Sequence, residues 1–191
     1  MLKKIPGTLL DFHAGMEHQA FAALESILTA TKGLTLGQIG ELTGLTGTAI
    51  QNWIKRGWVA NPRGKRYGEA QVIRIILINM LRPAVSLEKI AALMEYINGS
   101  VEDREDDILP DRQLFNYLCA VICQADAAHT TDRTEITRII ENEISDFPRD
   151  GEKDKRKLER VILCMTLAYL SAEMKREAEI EITETLNDKI L

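Results

Sequence analysis

A chain of 191 residues and 21.5 kDa, 45% hydrophobic and 28% charged, can bury one sizeable core or two small ones and is too apolar to remain largely disordered. No apolar run approaches the roughly 20 residues needed to span a bilayer. Net charge is −5 but uneven: residues 1–100 hold 11 Lys and Arg against 7 Asp and Glu, hence +4, and residues 101–191 hold 13 against 22, hence −9.

The N-terminal stretch carries two lysines but meets Pro6, Gly7 and Asp11 before an apolar core of signal-peptide length develops, so a cytoplasmic location and no membrane partner are expected. Nearly every long segment repeats apolar residues at i, i+3, i+4, and no run alternates with period two, so the expected fold class is all-α. Met16, Phe21, Leu24, Ile27 and Leu28 mark a first helix ending near Gly33, which makes residues 1–33 a helical leader. Thr35 followed by Gln38 spells a capping box, predicting a short helix from Leu36 to about Gly44. A tight turn then leads to a helix over about 48–56, with Thr46 as N-cap and Gly57 as its stop.

Asn61-Pro62 and Arg63-Gly64 are turn formers, and residues 59–67 suggest a small β-hairpin or ordered loop. Helices are predicted at about 69–82 and, after Pro83 and with Ser86 as cap, at 87–98. Residues 100–111, rich in turn formers and acids, read as an acidic linker. Its run Glu102, Asp103, Glu105, Asp106 and Asp107 lacks the glycine and closing Glu of a calcium loop and reads as solvated. Helices at about 112–127, 133–146 and 152–187 then form a C-terminal unit, 112–191, for dimerisation or sensing. The last is apolar nearly all round from Val161 to Leu170 and strongly charged after Glu173, a pattern that suits a central helix whose end projects or pairs with a partner.

Two short helices joined by a glycine-containing turn form the frame of a helix-turn-helix. Leu36, Ile39 and Leu42 share one face of the first, Leu45 fills the turn, and Ile50, Trp53 and Ile54 form the inner face of the second. Thr48, Gln51, Asn52 and Lys55 are left pointing away. Such a helix suits the major groove, where amides pair with base edges and cations neutralise phosphates. Arg56 closes the helix, and Arg63, Lys65, Arg66 and Tyr67 lie on the basic hairpin behind it, as a wing against backbone or minor groove. Residues 50–82 hold Lys55, Arg56, Arg63, Lys65, Arg66, Arg74 and Arg82 against a single acid, Glu69, a local footprint for a polyanion.

Thr35-Leu36, Gly44-Leu45, Ile50 with Trp53, Gly57 through Pro62, Arg66-Tyr67 and Ser86-Leu87-Glu88 occur in an order that resembles the winged helix-turn-helix of the MerR superfamily, over about residues 34–99. More narrowly, "IQNWIKRGWV", "INMLR" and "YING" resemble an uncharacterised bacterial family, domain of unknown function 1836, with a likeness that extends to about residue 122. The resemblance implies a small β wing and a dimeric regulator bound to double-stranded DNA. Typical MerR proteins carry Thr-Leu-Arg-Tyr-Tyr where this chain has Ala49-Ile50-Gln51-Asn52-Trp53, so amides replace the pair that grips phosphate. A homodimer, offering two recognition helices, would offset the weaker grip of each.

Cys119 and Cys123 share a helix face but have no second pair at ligand spacing and sit among apolar neighbours, so they read as core thiols; with Cys164 they make an odd count inside apolar helical patterns, so no disulfide framework is expected. His13, His18 and His129 show no ligand spacing and read as surface residues. No glycine-rich phosphate loop, nucleophile elbow or His–acid dyad can be assembled, so neither enzyme chemistry nor a metal or cofactor is expected. The expectation is a transcriptional regulator that reads DNA with the 48–56 helix. The alternative is a protein-interaction module that keeps the helix-turn-helix fold.

Overall fold

The computed structural model describes residues 4–13, 15, 18–99, 108–148 and 152–187. Within them lie α1 (Ala22–Thr31), α2 (Leu36–Thr43), α3 (Gly47–Lys55), α4 (Glu69–Leu81), α5 (Leu87–Asn98), α6 (Asp111–Ala127), α7 (Arg133–Glu143) and α8 (Glu152–Asn187). Among the described residues there is no strand, only three isolated antiparallel bridges, Lys4 with Asp11, Leu34 with Tyr67 and Arg63 with Arg66. The fold is all-α.

Local chemistry accounts for the starts of α2, α3 and α7. The Gln38 backbone N–H donates to Thr35 Oγ1 at 3.3 Å and the Thr35 N–H donates to Gln38 Oε1 at 2.9 Å, a complete capping box for α2. Thr46 caps α3 by accepting from the Ala49 N–H, and Asp132 caps α7 by accepting from Thr134 and Glu135. Ser86 occupies the N-cap position of α5 without making a side-chain cap bond.

The leader departs from the expected helix. Lys4 bridges to Asp11, Ile5 is fully buried, and the Leu9 N–H donates to the Leu42 carbonyl at 2.8 Å. Pro6 and Gly7 are poor helix formers, and Gly7 sits at φ 76° where an added Cβ would lie 2.4 Å from the Ile76 carbonyl oxygen. The segment is therefore a tight non-helical turn held against α2 and α4, with Asn79 Nδ2 donating to the Gly7 and Thr43 carbonyls. Helix begins only at Ala22, Ile27 faces outward, and Met16 lies outside the described residues.

Nine of the thirteen residues of α4 are buried, and α4 packs against α2, α5, α6 and α8. It is a hub, and it joins what the sequence divides into two units. One apolar cluster runs from Ile5 through α4 and α6 to Tyr169 of α8. The expected linker is thus no break in the core: Leu109 is buried and Asp111 is the first residue of α6, while Glu102 to Asp107 lie outside the described residues. α6 is the more central C-terminal helix, with ten buried residues, whereas α8 buries one face over Leu158 to Tyr169 and is exposed from Met174 to Asn187. Among the described residues no helix is long and apolar enough to cross a membrane.

Candidate nucleic-acid interface

Gly44 sets the angle between α2 and α3. It takes φ 73° as the C-cap of α2 and its N–H donates to the Gly40 carbonyl at 2.8 Å, closing the helix in the left-handed conformation that glycine adopts most readily. Ile39, Leu42 and Leu45 are buried on the α2 side of the turn, and Ile50 and Trp53 on the α3 side at 0% and 3% exposure. Apolar residues at these positions fix the outward face of α3 by exclusion. Thr48, Gln51, Asn52 and Lys55 fall at i, i+3, i+4 and i+7, and all four are exposed. Arg56, the C-cap of α3, is also exposed, but its Nη1 lies 3.2 Å from Glu88 Oε1 on α5 and its guanidinium stands over the Trp58 ring at 5.0 Å.

Beyond α3 the chain turns at Gly57 and returns through residues 59–67. The predicted hairpin reduces to a tight turn, Arg63-Gly64-Lys65-Arg66, closed by one bridge, with Gly64 at φ 67°. Arg63, Lys65 and Arg66 are exposed on it. Arg66 Nη1 donates to the Gly33 carbonyl at 2.9 Å, which ties the turn to the end of α1. Among the described residues Lys55, Arg63 and Lys65 have no ion-pair partner.

Tyr67 corrects the sequence-based assignment. It is 5% exposed, and its backbone exchanges two hydrogen bonds with Leu34, at 2.8 and 2.9 Å. Burial raises its hydroxyl pKa. The ring belongs to the core that supports the turn and is not among the turn's outward side chains. The alternation of outward cations with an inward aromatic after a bridged turn is a signal that could have shown this.

One further cation leaves the basic island. Arg74 is 6% exposed inside α4, with Nε donating to the Trp58 carbonyl at 3.0 Å and Nη1 4.0 Å from Asp111 Oδ2. Arg82 stays exposed at the end of α4, where its Nε donates to Asn79 Oδ1 at 2.9 Å. The outward cations of the island are therefore Lys55, Arg56, Arg63, Lys65, Arg66 and Arg82. A lone Arg within the apolar run "VIRIILI" was the readable sign of an internal charge, because an arginine buried on all sides needs acceptors.

A polar cluster from three separate segments escaped the sequence reading. His18, Gln113, Asn116, Tyr117, Glu143 and Asp146 line a recess of about 270 Å³. The Tyr117 hydroxyl donates to Asp146 Oδ1 at 2.7 Å and accepts from Gln113 Nε2 at 2.9 Å, while His18 Nδ1 lies 3.1 Å from Glu143 Oε2. Burial, then the Asp146 carboxylate, push the Tyr117 hydroxyl up to about 12. No spacing along the chain brings these residues together. Cys119 is fully buried, and burial pushes its thiol well up; Cys123 is half-buried and Cys164 exposed.

Residues 24–118 match the family model described as "Domain of unknown function (DUF1836)". That span runs from α1 into α6 and so includes both the helix-turn-helix and the segment joining it to the C-terminal helices. The chain is also similar to an uncharacterized protein of Bacillus subtilis (strain 168), YkrK, at 28% identity over 164 residues, covering 79% of this chain and 69% of that one. No solved structure gives a significant match.

Proposed function

We propose that this chain is a transcriptional regulator that binds double-stranded DNA, reading the major groove with α3 from a winged helix-turn-helix of the MerR type. The observation that carries the reading is the division of α3 into two faces. Ile50 and Trp53 are buried, whereas Thr48, Gln51, Asn52 and Lys55 form one exposed stripe with two amides and a cation, followed by the cationic turn at 63–66. Gln and Asn pair bidentately with adenine edges, and exposed Lys and Arg neutralise phosphate, so this stripe has the donors and acceptors that base reading requires.

A second reading, a protein-interaction module, is favoured by one observation. Arg56 is paired with Glu88, and Arg66 is bonded to the Gly33 carbonyl, so two of the five cations on α3 and the turn behind it already have partners. Selection of fragments bound from genomic DNA at low salt separates the two readings. Enrichment of a common sequence supports DNA reading; recovery of no DNA by folded protein overturns it.

A further inference from the structure

We propose that the open groove between α5 and the start of α8 is a nucleotide site, in which Lys153, Lys157 and Arg160 hold the phosphates and Tyr96 takes the base. The inference does not rest on DNA binding. The groove has a volume of about 660 Å³ and is lined by Tyr96 of α5 and by Lys153, Asp154, Arg156, Lys157 and Arg160 of α8. That volume lies within the roughly 300–1,000 Å³ of small-molecule sites.

The charge of the groove runs against its surroundings. Residues 101–191 carry a net charge of −9, yet residues 153–160 hold five cations and two acids, net +3. Burial of Leu158 and Val161 turns the cationic side of this part of α8 outward. Lys153, Lys157 and Arg160 stand at i, i+4 and i+7, so they share that side over about 10 Å, enough for a chain of phosphates. Among the described residues none of the three makes an ion pair, although Asp154 borders the same groove. Arg156 is already engaged within the chain and is given no part. Cations lining one concave surface without a neutralising acid concentrate a positive potential there and draw in an anion.

Tyr96 selects the kind of anion. It is 49% exposed, whereas Tyr67, Tyr117 and Tyr169 are all buried. The Lys157 amine lies 4.8 Å from its ring centre, so an open aromatic ring adjoins the row of cations. A nucleotide answers both features, with a planar base to stack on the ring and phosphates for the cations to neutralise. An acidic peptide supplies carboxylates without a base, and inorganic phosphate leaves the ring unused.

The experiment uses the full chain with ATP as the probe. Binding is followed by calorimetry and by the rise of the unfolding midpoint with ATP concentration, which binding to the folded state alone produces. ATP is expected to bind more tightly than tripolyphosphate or adenosine, and hexaglutamate should not displace it. Tyr96→Ala should weaken ATP about tenfold, as loss of one stacked base does, and leave tripolyphosphate unchanged, while Tyr96→Phe should bind ATP as the parent does. Lys153→Gln combined with Arg160→Gln should weaken ATP and tripolyphosphate alike, with unchanged helix content. Lys65→Gln, on the turn behind α3, should alter neither. Folded parent that binds no ATP at millimolar concentration, ATP binding that survives the Lys153 and Arg160 changes or the loss of the Tyr96 ring, or equal binding of hexaglutamate would each overturn the site. A DNA duplex whose binding needs Lys153 and Arg160, with ATP left unbound, would make the groove a nucleic-acid contact and overturn it too. The nucleotide titrations contain no DNA, so their failure is distinct from failure of the regulator reading.

Discussion

Arg74 and Asp111 stand 4.0 Å apart in the interior, joining the hub helix α4 to the first residue of α6. Each is held by a second bond: Arg74 Nε donates to the Trp58 carbonyl at 3.0 Å, and Asn98 Nδ2 donates to Asp111 Oδ1 at 3.1 Å. The stem of the basic turn, the end of α5 and the start of α6 thus meet at one charged node. Removing one member of such a buried pair leaves the other desolvated and uncompensated. Arg74→Met is expected to lower stability by about 3–5 kcal/mol. Urea denaturation checks this, and with Asp111→Asn and the double variant it completes a cycle in which the double loss is smaller than the two single losses combined.

Gly33 and Gly57 both have positive φ but differ in surroundings. A Cβ at Gly33 would lie 2.6 Å from the Tyr67 carbonyl oxygen, whereas nothing lies within 4 Å of one at Gly57. Gly57→Ala should therefore cost only the left-handed backbone penalty, about 1–2 kcal/mol. Gly33→Ala adds displacement of the Leu34–Tyr67 bridge and is expected to cost on the order of 3 kcal/mol. Equal losses in parallel urea titrations would contradict this difference.

Tyr117 is expected to shape the alkaline limb of stability. Its hydroxyl is raised to about 12, so the folded state favours the neutral form. That contribution is fully present below the ordinary tyrosine value near 10 and is lost as pH rises from about 10 to about 12. Tyr117→Phe should cost about 1–2 kcal/mol at neutral pH, through removal of the bonds to Asp146 and Gln113, and flatten the decline over that window. Burial also raises Tyr67 and Tyr169, so some decline should remain. Unfolding midpoints at successive pH values test the slope.

The residues of the reading helix are expected to separate by chemistry. Gln51→Ala should change which base is preferred at one or two positions, at about 1–3 kcal/mol of discrimination. Lys65→Ala should weaken binding to all sequences alike and lower the magnitude of the salt slope by about 1 for each phosphate that Lys65 neutralises. Binding to a library of sequence variants at two salt concentrations distinguishes the two effects.

The elements most legible in the sequence were those governed by local chemistry. The capping box at Thr35 and Gln38, the Thr46 cap and the glycine stops involve neighbours a few residues apart, and they place α2 and α3 within about a residue of the structure. The outward stripe of Thr48, Gln51, Asn52 and Lys55 followed from helical period alone. What depended on distant packing was hidden. Arg74, Tyr67 and Asp111 carry polar atoms that suggest a surface, but their partners come from Trp58, Leu34 and Asn98, with no constant spacing to reveal them. The turn ahead of α1 was hidden in the same way: Ile5 is fully buried, and the segment is tied by the Leu9 bond to the Leu42 carbonyl and the Asn79 bond to the Gly7 carbonyl, far along the chain. The inward turn at residues 4–11 is specified by the body it packs against.

The most direct test of the DNA-binding proposal is the salt dependence of binding to a duplex recovered by genomic selection, followed by fluorescence anisotropy with protein whose helix content and mass are verified. Binding is predicted at about 50 mM salt, falling roughly a thousandfold by about 200 mM, as expected for about six phosphate contacts from Lys55, Arg63 and Lys65 on two copies, and weakened by Lys65→Ala. Folded, dimeric protein that leaves the anisotropy unchanged at low salt would contradict it.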